Sequence, residues 1–133
     1  MSALRIAGAK SIWTACFLAA AAWATTESLV QQAPSTMAKI ANPLEGNEDA
    51  RRAGAKLYAR ECAACHGANR QGLRKAPALT QTEVYRATPG ALFWVLRHGS
   101  LHRGMPSFAH LPEPERWQII TFLRAGTVAT RLQ

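Results

Sequence analysis

Apolar residues are distributed along this chain in two ways: one dense run near the start, and three later stretches whose spacing and bounds are those of helices. The first helical stretch opens at Asn47, a side chain suited to capping free amides, and carries Glu48 and Asp49 where the positive end of a helix favours acids. Ala50, Gly54, Leu57, Tyr58 and Cys62 then fall on one face, which narrows at Gly54. The second stretch opens at Thr88-Pro89, with proline at the first helical position, runs through Ala91 to Leu96 and closes at Gly99. Its six consecutive apolar residues would also suit a buried strand, but the proline and glycine bounds favour a buried helix. The third opens across Pro112 to Pro114 and continues through Arg116-Trp117-Gln118-Ile119-Ile120-Thr121-Phe122-Leu123 toward a stop at Gly126. No stretch alternates with a strand period and no segment repeats. The pattern therefore predicts an all-α fold with three to four main helices and long loops at 67–83 and 100–111.

The apolar run comes earlier, from Ser11 to Ala22, behind Arg5 and Lys10 and ahead of Ala22-Trp23-Ala24. A basic start, an apolar middle and a small-x-small site make the three-part layout of a secretory signal, so residues 1–24 are expected to direct export and to be cleaved near Ala24. The run is shorter than the roughly 20 residues that cross a bilayer, which sets cleavage ahead of an uncleaved anchor. Cys16 lies inside it and is discarded with it. From Thr25 to Gly46 the chain is polar and interrupted by Pro34, Asn42-Pro43 and Gly46, and this pattern predicts a flexible lead-in over 25–46. The folded unit then spans 47–126, with a C-terminal tail at 127–133. A unit of that size draws marginal stability from its core alone, and its loops are long for so small a core. A large apolar cofactor would give them something to wrap around.

Composition narrows the class. The 133 residues are 48% hydrophobic and 18% charged, a globular balance that excludes disorder, collagen and coiled coil. The formal charge is +8, and loss of 1–24 removes two basic residues and no acidic one, leaving +6. An exported chain meets little nucleic acid, and the basic residues are scattered, so this charge points to anionic partners at a solvated surface.

The chemistry centres on Cys62-Ala63-Ala64-Cys65-His66. Residues three apart share a helical face, so both sulfurs can reach one haem edge while His66 turns toward the iron. Three other readings compete. A thioredoxin-like redox pair sits beside a βαβ pattern, and none is present. A zinc site could draw on Cys62, Cys65, His98 and His102, but 32 residues separate the pairs, against the usual gap of about 12–15, and His66 would have no role. A disulfide between Cys62 and Cys65 would close too short a loop to remove much unfolded-state entropy. Covalent haem uses all three residues of the motif.

A second axial ligand has five candidates beyond the leader: Met37, Met105, His98, His102 and His110. Gly104-Met105-Pro106 combines a permissive residue, a soft thioether and a stiffening proline, which makes Met105 the preferred ligand. Met37 falls in the lead-in, and loop histidines are ordinarily solvated.

Together these residues resemble a class I c-type cytochrome. The resemblance covers Asn47 to Gly126: Gly54-Ala55-Lys56-Leu57-Tyr58, the haem motif with Gly67, Ala76-Pro77-Ala78-Leu79, Gly104-Met105-Pro106-Ser107-Phe108, and Trp117 to Leu123 in that order. It implies a small cytochrome c fold around one covalently bound haem c, attached at Cys62 and Cys65, with His66 and Met105 on the iron. It further implies that Gly54 and Tyr58 cross the last helix near Trp117, and that the Pro77 carbonyl accepts the hydrogen bond of the proximal histidine. Trp94 and Arg97 lie where partners of the haem propionates are expected. One departure from the family pattern is Pro112, where a capping Ser, Thr or Asp is more usual.

The segment Ala91 to Gly99, with Arg103-Gly104-Met105-Pro106, is also similar to small bacterial cytochromes that accompany periplasmic dehydrogenases. The implied role is a periplasmic carrier of single electrons, taking them from a dehydrogenase or respiratory complex and passing them to an oxidase or another cytochrome. Nucleic acid is not an expected partner, and membrane contact is expected only through an uncleaved leader or a membrane-bound partner. No acid, base or nucleophile constellation stands out, so the chain is read as a carrier rather than an enzyme. The competing function is a small-ligand sensor or peroxidase-like enzyme in which Met105 leaves the iron.

Overall fold

The computed structural model describes residues 28–125. The leader 1–24, the stop at Gly126 and the tail 127–133 lie outside them. Six α-helices are found among the described residues: α1 (Ser35–Ala38), α2 (Glu48–Glu61), α3 (Ala63–His66), α4 (Gln81–Arg86), α5 (Pro89–His98) and α6 (Glu113–Ala125). Two 3-10 turns, Leu29–Gln32 and Leu101–Arg103, accompany them. The described residues form no named strand, and none of their helices is long and apolar enough to cross a membrane.

The caps expected from sequence form. The Asn47 side chain accepts from the Ala50 amide at 2.9 Å, and the Thr88 hydroxyl accepts from the Ala91 amide at 3.2 Å. Gly99 closes α5 at φ +64, its N–H donating to the Val95 carbonyl at 2.7 Å. Pro112 does no harm at the start of α6. Its carbonyl accepts from the Glu115 and Arg116 amides, and Glu113 accepts from the Trp117 indole at 3.3 Å. Helix α4 overlaps the predicted 67–83 loop in its first three residues and continues to Arg86, and Val84 alone among its described side chains is deeply buried.

The main helix–helix interface joins α2 to α6. Its closest approach is at Gly54, where a Cβ would overlap the Gln118 carbonyl and lie 2.9 Å from Phe122 Cβ. One turn on, the Tyr58 ring meets Phe122 with centroids 5.4 Å apart. The crossing therefore falls at Gln118 and Phe122, next to the Trp117 position implied by the resemblance. Helix α5 closes the core from the other side, stacking Phe93 on Trp117 at 4.3 Å. Leu57, Leu96, Ile119, Ile120 and Leu123 fill the space between the helices.

The expectation of a flexible lead-in needs correction for its described part, 28–46. Asn42 is 6% exposed and donates through Nδ2 to the Thr121 hydroxyl of α6 at 2.8 Å, while its Oδ1 accepts from the Leu44 amide. The segment also runs against α5, where a Cβ on Gly90 would overlap the Met37 carbonyl. The attachment combines the buried Asn42 amide, the Thr121 hydroxyl on the Leu44 carbonyl at 3.3 Å, the packing of Met37 and Leu44 on the core and a backbone contact at Gly90. None of these makes a hydrophobic period in the sequence, so pattern reading missed the attachment.

Two outcomes follow for guanidinium denaturation of the protein. Gly54→Ala should lower unfolding stability by about 1–3 kcal/mol, because the added methyl forces two packed helices apart. Asn42→Ala should cost about 1–3 kcal/mol by leaving a buried polar site unpaired, whereas an undocked lead-in would show no change.

Candidate functional site

Helix α2 delivers the two cysteines. It ends at Cys62, whose N–H donates to the Tyr58 carbonyl at 2.9 Å, and a further turn, α3, follows at once. The Cys62 carbonyl accepts from the Cys65 and His66 amides at 3.1 and 2.9 Å, so both cysteines and the histidine share one helical turn. Gly67 ends that turn at φ +84, and the Tyr58 hydroxyl donates to its carbonyl at 2.7 Å. Tyr58 thus belongs both to the α2–α6 interface and to the turn bearing His66. Burial is the main influence on its phenol, raising the pKa, with Cys62 adding to the rise and Arg70 opposing it.

The two sulfurs sit in different surroundings. Cys62 is buried in the core cluster, Cys65 is exposed, and they are not joined in a disulfide. Burial pushes the Cys62 thiol up to about 11, with Glu61 and Cys65 adding to the effect, so it is a neutral S–H at pH 7. No three His, Cys, Asp or Glu side chains gather as a metal cage among the described residues, and the zinc reading gains no support from the geometry.

His66 is oriented from the opposite side. Its Nδ1 lies 2.8 Å from the Pro77 carbonyl oxygen, and because a carbonyl can only accept, Nδ1 carries the proton. Nε2 then holds the lone pair and makes no hydrogen bond among the described residues. The loop supplying Pro77 is tied back on itself, the Gly72 amide to the His66 carbonyl and the Leu79 amide to the Arg70 carbonyl, both at 2.8 Å. Within it Arg70 and Arg74 adopt positive φ, and the Arg70 guanidinium reaches the Leu123 carbonyl of α6 at 3.2 Å.

Met105 is held by its backbone. Ser100 and Met105 exchange two hydrogen bonds, at 2.8 and 3.0 Å, closing a tight turn in which Gly104 takes φ +82. The half-buried Met105 side chain packs on the same core cluster that contains Cys62, as does Leu79. The other histidines have partners of their own. His98 donates through Nδ1 to the Trp94 carbonyl and stacks on the Trp94 ring at 4.6 Å, His102 bonds the Ser100 hydroxyl at 3.1 Å, and His110 stands 4.0 Å from Glu61. Met37 is part of the docked segment, packed on the core from the α5 side. Trp94 is half-buried. Arg97 is exposed, its carbonyl accepting from the Ser107 hydroxyl at 2.6 Å.

Sequence reasoning missed Ser100 and Arg116. Ser100 fixes Met105 through backbone atoms alone and leaves no side-chain signal. Arg116 did leave one: it occupies the first position of the apolar stripe Arg116, Ile119, Ile120, Leu123, where a cation is out of place.

Two unpaired thiols on one turn, an imidazole fixed through Nδ1 with Nε2 available, and a thioether on the same core form a donor set suited to a covalently held haem. Comparison with known families gives a match. The model for cytochrome c oxidase, cbb3-type, subunit III covers residues 49–123, from the first turn of α2 to the last turn of α6. No curated protein and no solved structure matches. The match spans more than half of the chain and every residue of the donor set, and it places this protein in the cytochrome c oxidase cbb3-type subunit III family: it is a c-type cytochrome of the class I kind, an all-α electron-transfer protein with a covalently bound haem c.

Proposed function

We propose that this chain is an exported monohaem electron carrier in which Cys62 and Cys65 form the thioether attachments and His66 Nε2 and Met105 Sδ hold the iron. The observation that carries this reading is the hydrogen bond from His66 Nδ1 to the Pro77 carbonyl. It fixes the tautomer and the ring plane, and it raises the basicity of the nitrogen left for the metal. Bound haem supplies the Fe(III)/Fe(II) couple, and a methionine-histidine ligand pair raises its potential. The protein's part is to hold both ligands still. His66 is clamped between the α3 turn and the Pro77 loop, and Met105 is locked at N–H and C=O by Ser100. Trp94 and Arg97, near the end of α5, are the residues assigned to the propionates. With His66 and Met105 both holding it, the iron of bound haem would offer a substrate no open site, which favours electron transfer over catalysis at iron.

The leader-like segment 1–24 supports export to the periplasm, where haem attachment to a C-x-x-C-H motif fits the compartment. The matched family is named for a terminal oxidase, which supports an oxidase as acceptor, while the segment from Ala91 to Pro106 supports a dehydrogenase as donor. Arg74, Lys75, Arg97 and Arg103 are exposed on or beside the two loops that carry Pro77 and Met105, so the partner surface is expected to be acidic.

Two measurements test this assignment. Met105→Ala should abolish the sulfur–iron charge-transfer band of the oxidised protein, lower its potential and admit carbon monoxide to the reduced iron, whereas Met37→Ala should do none of these. Stopped-flow electron exchange with an acidic redox partner should slow as ionic strength rises from about 0.01 to 0.15 M, over which the Debye length shortens from about 30 to 8 Å. A salt-independent rate would remove the electrostatic argument for acidic partners.

A further inference from the structure

Behind the turn that carries Met105 sits a buried cation. Arg116, in the first turn of α6, is 7% exposed and pairs with no carboxylate among the described residues. Its Nη1 instead lies 2.8 Å from the Leu111 carbonyl, 3.3 Å from that of Ala109 and 3.4 Å from that of Phe108. The guanidinium face covers the Phe93 ring at 4.8 Å, and Nε is buried with no partner. A charge removed from water in this way is tolerated only where dipoles replace its hydration, and here the dipoles are three carbonyls of one short segment. That segment begins three residues after Met105. Its start is pinned to α5 by the Phe108 amide on the Leu96 carbonyl at 2.8 Å. Releasing Met105 by opening residues 105–111 would strip Arg116 of its carbonyl acceptors, and this cost opposes opening.

We propose that Arg116 is a positioning residue for the distal ligand: its grip on the Phe108, Ala109 and Leu111 carbonyls holds the 105–111 segment closed and keeps Met105 on the iron. This rests on the assignment of Met105 as ligand made above. The function served is a coordination shell that stays intact through both oxidation states, with no position yielded to small molecules.

The test is imidazole titration of the oxidised holoprotein, read as loss of the sulfur–iron band. Imidazole enters only where Met105 has left, so its apparent affinity scales with the open fraction. Arg116→Met keeps an apolar stem over Phe93 but loses the charge-assisted bonds, and it should bind imidazole about tenfold tighter than the parent protein. Arg116→Lys retains one donor group and should fall between the two. Arg124→Met loses a similar grip, on the Val84 and Ala87 carbonyls, and should lower thermal stability while leaving imidazole affinity unchanged. The proposal is overturned if Arg116→Met binds imidazole no tighter than the parent, or if Arg124→Met gains as much. Should Arg116→Met fail to hold haem, parental affinity in Arg116→Lys overturns it equally. Survival of the band in Met105→Ala would instead remove the ligand assignment; its loss there, with parental imidazole affinity in the Arg116 variants, removes only the positioning role.

Discussion

The contact of α2 with α6 at Gly54 is the constraint from which the rest of the site is built. Because no side chain stands between the Gly54 backbone and the Gln118 carbonyl, the helices approach closely enough for Tyr58 to lie against Phe122 and still reach the Gly67 carbonyl. That bond sets the end of the turn in which Cys62, Cys65 and His66 follow one another. A wider crossing would move Tyr58, and with it the turn. The stability of a small helical domain and the placement of its reactive residues therefore depend on the same few atoms.

The loops are held by a different device. Arg70, Arg116 and Arg124 all direct guanidinium nitrogens at backbone carbonyls and lay their planes over aromatic rings, Phe122, Phe93 and Tyr85 respectively. A guanidinium suits this use because its donors lie in a plane and its weakly hydrated faces tolerate aromatic contact. Each arginine ties α6 to a segment without regular structure of its own or to the end of a short helix. Part of the basic excess of the chain is thus structural, while Arg74, Lys75 and Arg97 are exposed beside the loops that carry Pro77 and Met105.

These two devices serve a single requirement. An electron carrier works best when its metal ligands move little between oxidation states, and the ligands assigned here are each fixed twice. His66 is held by the helical turn and by the Pro77 carbonyl, Met105 by Ser100 and by the segment that Arg116 grips.

The sequence by itself determined the three longer helices, because Asn47 caps α2, Thr88-Pro89 and Gly99 bound α5 through local hydrogen bonds, and the apolar residues of all three repeat at helical spacing. It also determined the Cys62-x-x-Cys65-His66 spacing on which the haem assignment rests, since that spacing puts all three residues within one turn. The docking of residues 28–46, the short helix over Gln81–Arg86, the Ser100 lock on Met105 and the carbonyl grip of Arg116 were decided only by tertiary structure. Their physical reason is common to all four. Each rests on contacts between positions remote in sequence or on backbone atoms that every residue shares, and neither leaves a periodicity or a residue type for pattern reading to find. Arg116 is the partial exception, because a cation at the head of an apolar stripe is visible in the sequence, but the carbonyls that justify it come together only in the folded chain.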